Sequence, residues 1–403
     1  TCVFQTNLED TKDDCPDSEC STGFCNGSGA CGISPVGTVC SDDGNIDTDD
    51  QCDGNGTCVH LSSQWARLYY GDGSDYGQSI QQTLDGGFIV AGYTSSFGVG
   101  DDDIWLLKLS RSGAILWQKT YGGNGNDRAY SMQQTADGGF VVAGSSQSFS
   151  GSDTDFFVLK LGNDGSVSWQ KTFGGTAFDR ALTIQQTLGG GYIVAGITQS
   201  FDSGNNDLWV LKLGSMGDLI WEKGLGGDCS YEANSVVATT DGGYVVAGNA
   251  HSCVLANRDV LILKFGNDGE LLWRKNFGGD ISEYAHSIDQ TSDGGYIVAG
   301  RSRSFGSGYN TDIWVVKLDA NGDISWQKIV GGNLFDRAYS IQQTLDGGYI
   351  LAGATQSFGA GDDDMWLIKL GSNGGMQWQK TYGGSGSDIA YSIEQSSDNG
   401  YIV

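Results

Sequence analysis

The sequence predicts an all-β protein, a β-propeller of about seven four-stranded blades preceded by a small disulfide-rich segment. Seven tryptophans, Trp65, Trp117, Trp169, Trp221, Trp273, Trp326 and Trp378, recur every 52 residues, once at 53. The segments between them are short, rich in Val, Ile, Tyr, Phe and Trp, and end at clusters of Gly, Asp, Asn and Ser. That is the composition of strands joined by tight turns. No helical periodicity follows residue 61. A fixed period of this size marks a repeat architecture whose units bury their apolar faces against one another.

The unit that begins at Trp117 reads as four strands: Trp117 to Tyr121, Arg128 to Thr135, Phe140 to Gly144 and Asp155 to Leu161. An Asp-Gly-Gly hairpin signal joins the second and third strands, since Gly tolerates the positive φ of such turns. It starts at Asp85, Asp137, Asp241, Asp293 and Asp346, with Gly189-Gly190-Gly191 and Asp398-Asn399-Gly400 as variants. The only prolines, Pro16 and Pro35, lie outside the repeats, so none interrupts a ladder. From Trp378 to Val403 only 26 residues remain, one strand short of a unit. The edge this leaves is a template for association. Residues Val3 to Leu8 alternate well enough to fill it, within the chain or from a neighbouring subunit; the alternative is more blade beyond Val403.

The chain divides into residues 1–61 and a propeller over 62–403. Eight of its ten cysteines, Cys2, Cys15, Cys20, Cys25, Cys31, Cys40, Cys52 and Cys58, fall in the first segment. An even count in a short loop-rich stretch reads as a disulfide framework and an oxidising compartment. No Cys-x-x-Cys pair suggests zinc, and no Cys-x-x-Cys-His suggests haem. Cys229 and Cys253 sit in two loops that a blade places on one face, so a bond between them is expected. The start at Thr1 suggests a processed product, and no apolar run of about 18 residues suggests a membrane span. A formal charge of −27 argues against nucleic acid and anionic membranes, which need clustered Lys and Arg.

Several residue sets are candidate sites. Asp43, Asn45, Asp47 and Asp49 place oxygens at alternate positions, a spacing that suits calcium, although an Asx-rich turn between Cys40 and Cys52 fits as well. An Asp opens the last strand of each complete unit: Asp103, Asp155, Asp207, Asp259, Asp312 and Asp364. Ten residues after the Trp stand Asp75, Asp127, Asp179, Asp336 and Asp388, three of them followed by Arg128, Arg180 and Arg337. A feature present once per blade is scaffold first, here a clamp of carboxylates and guanidinia, and a ring of ligand pockets second. Symmetry breaks in the fourth and fifth units at Glu232, Val237, Ala238, His251, Glu283, His286, Asp289, Arg301 and Arg303. Such a patch suits acid–base chemistry if it converges in a cleft. No nucleophile-elbow, zincin or phosphate-loop motif is present. Lys108 and Lys119 read as stripe charges whose stems cover apolar surface.

The repeat from Trp326 to Gly332, followed by DRAYSIQQTLDGGYILAGATQSFGAGDDDMWLIKL, resembles the propeller repeats of large secreted bacterial and archaeal proteins. Lys317 to Trp326 resembles the tryptophan-docking motif of quinoprotein-type propellers. The vicinal Cys-Cys of the quinone-binding enzymes is missing, so no quinone is expected. Cys40 to Cys58 is similar to cysteine-rich repeats of secreted surface proteins, with Ile46-Asp47 departing from the expected Cys-Thr. These resemblances imply a secreted or cell-surface compartment and name no substrate; the reading adopted for the whole chain is a non-enzymatic module for adhesion or filamentous assembly, whose partners are its own copies or other surface proteins. A glycan-binding lectin is the alternative, and an enzyme centred on the fourth and fifth units the third reading.

Overall fold

A computed structural model describes backbone strands at Cys2–Thr6, Thr48–Cys52 and Cys58–Ser62, and residues 65–403 other than 150, 152, 202–204, 252–256 and 307–309. Six blades are each built from four consecutive antiparallel strands. In blade 1, Asp75–Gln82 pairs with Phe88–Thr94, which pairs with Asp103–Leu109, which pairs with Ile115–Tyr121. The order recurs in residues 127–173, 179–225, 231–277, 283–330 and 336–382, blades 2 to 6. The first strand of each blade lies against the first strand of the next, around the axis. The fourth, carrying the Trp, is outermost and largely exposed.

The expectation of about seven such blades is corrected to six. The seventh position holds a composite sheet in the order Glu394–Gln395, Tyr401–Ile402, Cys2–Thr6, Trp65–Leu68. The last repeat supplies only two strands of two residues, so the third comes from residues 2–6, with Gln5 opposite both Ile402 and Trp65. Strand addition thus takes place within the chain, and it joins part of the 1–61 segment to the propeller. Thr48–Cys52 and Cys58–Ser62 form a separate hairpin.

A unit cut at the Trp is therefore not a blade. It takes the outer strand of one blade and the three inner strands of the next. The reason is docking across the seam. Each of the seven repeat tryptophans lies edge-on, at 5.8–6.2 Å between ring centroids, to the aromatic that opens the second strand of the following sheet. Trp221 Nε1 donates to Asn267 O at 3.0 Å, and its ring covers Gly269, whose φ of 80° suits glycine and where a Cβ would come within 2.9 Å of the indole. The seven are equivalent but only half-buried; Trp105, Trp209, Trp314 and Trp366, on third strands, are the fully buried ones.

Seven apolar clusters fill the seams. That between blades 1 and 2 joins Ile89, Ile104 and Leu106 to Met132, Phe140 and Phe157. Tyr401 and Val403 pack on Met365 and Leu367 of blade 6, and Ile402 on Phe88 and Trp105 of blade 1, so the composite sheet closes the ring. Burial of side chains this size stabilises by about 1.5–3 kcal/mol each before entropy is counted.

The Asp-Gly-Gly turns do more than reverse the chain. Asp85 Oδ1 accepts from Thr83 Oγ1, Gly87 N and Lys108 Nζ. Lys108 is 5% exposed, so the stripe-charge reading is corrected: its ammonium is buried and paired, as are Lys160, Lys264, Lys317 and Lys369 with their own aspartates.

Replacing Trp221 with Ala is expected to cost roughly 2–3 kcal/mol, below the 3–5 kcal/mol of a fully buried Trp, because its ring is only partly buried. Denaturant unfolding checks this, and a loss under about 1 kcal/mol would remove the docking role.

Candidate functional site

The ring encloses an axial channel with two chemically distinct ends. The hairpin end is built from first strands and the loop end from first strands with residues of the second and third, and both are where the repeat departs from its own pattern.

At the hairpin end, side chains from one blade accept backbone N–H groups of the next. Gln134 N donates to Gln81 Oε1 at 2.6 Å, Gln186 N to Gln133 Oε1 at 2.5 Å, and Ala238 N to Gln185 Oε1 at 2.5 Å. Gln343 N donates to Asp289 Oδ2 at 3.0 Å, Gln395 N to Gln342 Oε1 at 3.0 Å, and Gln82 N to Glu394 Oε2 at 2.5 Å. Val237 stands at the equivalent position of blade 4 and offers no acceptor; Asp289 instead also takes the N–H of Gln290. These residues line a cavity of 270 Å³. Burial raises the Asp289 carboxyl above the usual range and pushes Glu394 up to about 7.

The loop end is aromatic and cationic. Each first strand carries a bulge: Ala129 and Ser131 face consecutive residues of their partner, leaving Tyr130 unpaired. A bulge re-aims a side chain, and Gly144 is glycine because a Cβ there would lie 1.9 Å from Arg128 O. Tyr130, His286 and Tyr339 occupy this bulge position, three residues after the repeated acid, and Tyr391 stands at the same offset from Asp388. Tyr391 packs on Tyr339, Tyr339 on His286, and His286 beside Tyr284. The guanidinium of Arg301 lies 4.3 Å from the Tyr284 ring centroid, and that of Arg258 at 5.4 Å. On the opposite wall Arg180 lies 5.3 Å over Tyr130 and Arg128 5.1 Å over Tyr93. Such pairs contribute about 0.5–2 kcal/mol each, most when desolvated.

Arg128 and Arg337 are ion-paired with Asp102 and Asp363, at 2.5 and 2.6 Å. The clamp expected between arginine and the repeated aspartates thus uses the residue before them. Thr154 replaces that acid opposite Arg180, and among the described residues neither Arg180 nor Arg301 has a salt bridge. The Nε atoms of Arg180, Arg301 and Arg337 and Nε2 of His286 are buried without a hydrogen-bond partner. Burial, with Arg301 and Arg337 nearby, lowers the His286 pKa to about 3 and keeps the ring neutral.

Of the nine symmetry-breaking residues, Glu232, His286 and Arg301 meet at the loop end, where Arg258 Nη1 approaches Glu232 at 3.4 Å. Val237 and Asp289 belong to the other end, Ala238 to a seam, and His251 and Arg303 to strand ends. Glu283 takes the place of a repeated acid, accepting Gly279 N at 2.7 Å and Ser302 Oγ at 2.9 Å. Asp127 and Asp179 do the same work with Gly123 and Gly175.

Asp103 and Asp364 each hold two N–H groups of the preceding loop; Asp207 and Asp312 are buried beside Gly226 and Gly331. Asp155 is pushed to about 6 by burial and then by Asp179 and Asp153, and Asp259 is raised by burial and Glu283. Among the described residues no group of three metal-ligating side chains converges. Asp43, Asn45 and Asp47 lie outside the described residues, and Asp49 is described only as backbone. Cys229 is disulfide-bonded; Cys253 lies outside the described residues.

No known protein family matches the chain. It is similar to the regulatory protein FlaEY of Caulobacter vibrioides, 23% identical over 336 residues, which cover 75% of this chain and 32% of that protein. The chain therefore spans about a third of that relative. Among solved structures, Sqt1 from Chaetomium thermophilum matches with a TM-score of 0.46 at 12% identity, covering 81% of this chain and 76% of that one. BBS1N, solved in complex with ARL6DN, matches with 0.42 at 10% identity, covering 93% and 96%.

Glu394 supplies a pH test. Its folded pKa lies above the unfolded value, so its contribution is fully present below about pH 4.5 and lost as pH rises through about 7. Glu394→Gln is expected to stabilise the protein by on the order of 1–3 kcal/mol at pH 8 and not at pH 4. Melting curves at the two pH values check this; an equal effect at both would contradict a buried, titrating carboxyl.

Proposed function

We propose that this chain is a non-catalytic, extracellular or surface-exposed adhesion module that recognises acidic glycans at the loop end of its channel. One observation carries the reading: this mouth gathers Arg180, Arg301 and four tyrosines, with buried guanidinium N–H groups left without a protein acceptor. Tyrosine rings present flat apolar faces that suit sugars, and guanidinium forks suit carboxylate or sulfate. The rest of the molecule is strongly acidic, so a local cationic mouth selects anionic ligands by steering as well as by contact.

His286 is held neutral and is not tuned to move a proton near pH 7, which favours binding over catalysis. The cysteine-rich segment supports an oxidising, extracellular setting; calcium within it remains part of the proposal. Because residues 2–6 already pair inside the chain, assembly with surface partners would use faces other than that edge.

A glycan array carrying neutral, carboxylated and sulfated sugars tests the proposal. The protein is expected to retain acidic glycans, and Arg180→Ala with Arg301→Ala to weaken binding by roughly tenfold or more. Retention of neutral glycans alone, or binding indifferent to both arginines, would count against it.

A further inference from the structure

We propose that the cavity between blades 3 and 4 on the hairpin face binds a small organic acid, whose carboxylate occupies the place of a missing aspartate beside Lys212. This site is separate from the channel mouth and does not rest on its reading.

The repeats serve as internal controls. In five of the six blades a buried lysine on the third strand meets the turn aspartate of its own blade at 2.8–3.1 Å. That aspartate also accepts the hydroxyl of a threonine and the N–H of the second turn glycine. Blade 3 keeps every donor and lacks the acceptor. Lys212 is 8% exposed, as buried as its counterparts, but Gly189 stands where the aspartate would be. The turn itself is unchanged: Thr187 N donates to Gly191 O and Gly190 N to Thr187 O, both at 2.8 Å, with Gly190 at φ 79°. A Cβ built on Gly189 meets no atom within 4 Å, so the space for a carboxylate is open.

A second departure widens the same place. At the other seams an N–H of the turn reaches a glutamine of the following sheet, as Leu84 does to Gln134 and Ala136 to Gln186, both at 2.8 Å. Opposite Leu188 that glutamine is Ala238. The two losses leave a cavity of 410 Å³ lined by Leu188, Gly189, Lys212, Ile220, Ala238 and Tyr244. Lys212 Nζ donates to Thr187 Oγ1 at 2.7 Å and lies 5.0 Å over the Tyr244 ring, neither of which neutralises it.

A buried ammonium without a counter-ion is costly, and burial lowers the Lys212 pKa to about 8. The other charged group at the cavity, Asp241, is already held by Lys264 at 2.8 Å. A ligand carboxylate would receive Lys212 Nζ, the Thr187 hydroxyl and Gly191 N–H, the three donors that the aspartate receives elsewhere. Leu188 N–H is left for a further oxygen, and Leu188 and Ile220 for a short apolar tail.

The test uses the full chain with sodium butyrate as probe and sodium chloride at equal ionic strength as control. Butyrate is expected to bind with one-to-one stoichiometry by calorimetry and to move the Lys212 ε-carbon titration upward in pH. Gly189→Asp, which restores the pattern of the other blades, should raise the melting temperature and weaken butyrate binding at least tenfold. Lys212→Met should abolish binding. Butyrate binding by Gly189→Asp as tight as by the unaltered chain, or a Lys212 titration that butyrate leaves in place, would overturn the proposal.

Discussion

Neighbouring blades are joined at the axis by side chains of one first strand that accept the backbone N–H groups of the next, and the rest of the ring is organised around these bonds. Two layers run round the channel. Ser131, Thr183, Ser235, Ser287 and Ser340 accept from Ile184, Val236, Ile288, Ile341 and Ile393. Two residues further on, the glutamines accept in the same sense. A first strand has one neighbour within its own blade, so its other edge would be bare. The relay covers that edge without fusing the blades into one sheet, and it fixes the distance at which the apolar clusters and docked tryptophans can interdigitate.

Individuality then enters through departures from the repeat. Val237 removes an acceptor, and Asp289 compensates by taking two N–H groups. Ala238 and Gly189 remove acceptors with nothing in compensation and leave a cavity. At the opposite end the bulge turns one residue per blade toward the axis, where side-chain identity has no part in the ladder. Glutamine, tyrosine, leucine, asparagine and histidine succeed one another there without altering the ladder, which is the condition under which a recognition surface can vary on a constant scaffold.

Much of this was legible in the sequence. The period, the strand composition and the Asp-Gly-Gly turns led to four-stranded sheets, and the strand expected at Asp155 to Leu161 stands at those residues. The blade boundary was not legible, because a Trp spaced once per repeat marks a seam as readily as a centre. The triple glycine at 189–191 was visible as a variant, but its consequence was not. Lys212 lies 23 residues away, and only the pairing of Tyr192 with Leu213 brings it to the turn. His286 and Arg301 stood out as irregular, whereas Tyr130, Tyr284, Tyr339 and Tyr391 did not, since aromatic residues in strands are ordinary. Their signal was positional: three residues after the repeated acid, alternation slips by one.

Hydrogen exchange at the axial amides tests the central role of the relay most directly. The N–H groups of Gln82, Gln134, Gln186, Ala238, Gln343 and Gln395 are accepted across seams rather than within their own blades. If the relay holds the ring as one cooperative unit, all six should exchange only through global unfolding, with equal protection and equal dependence on denaturant. One seam exchanging by a separate, lower-energy opening while the others stay protected would contradict the account.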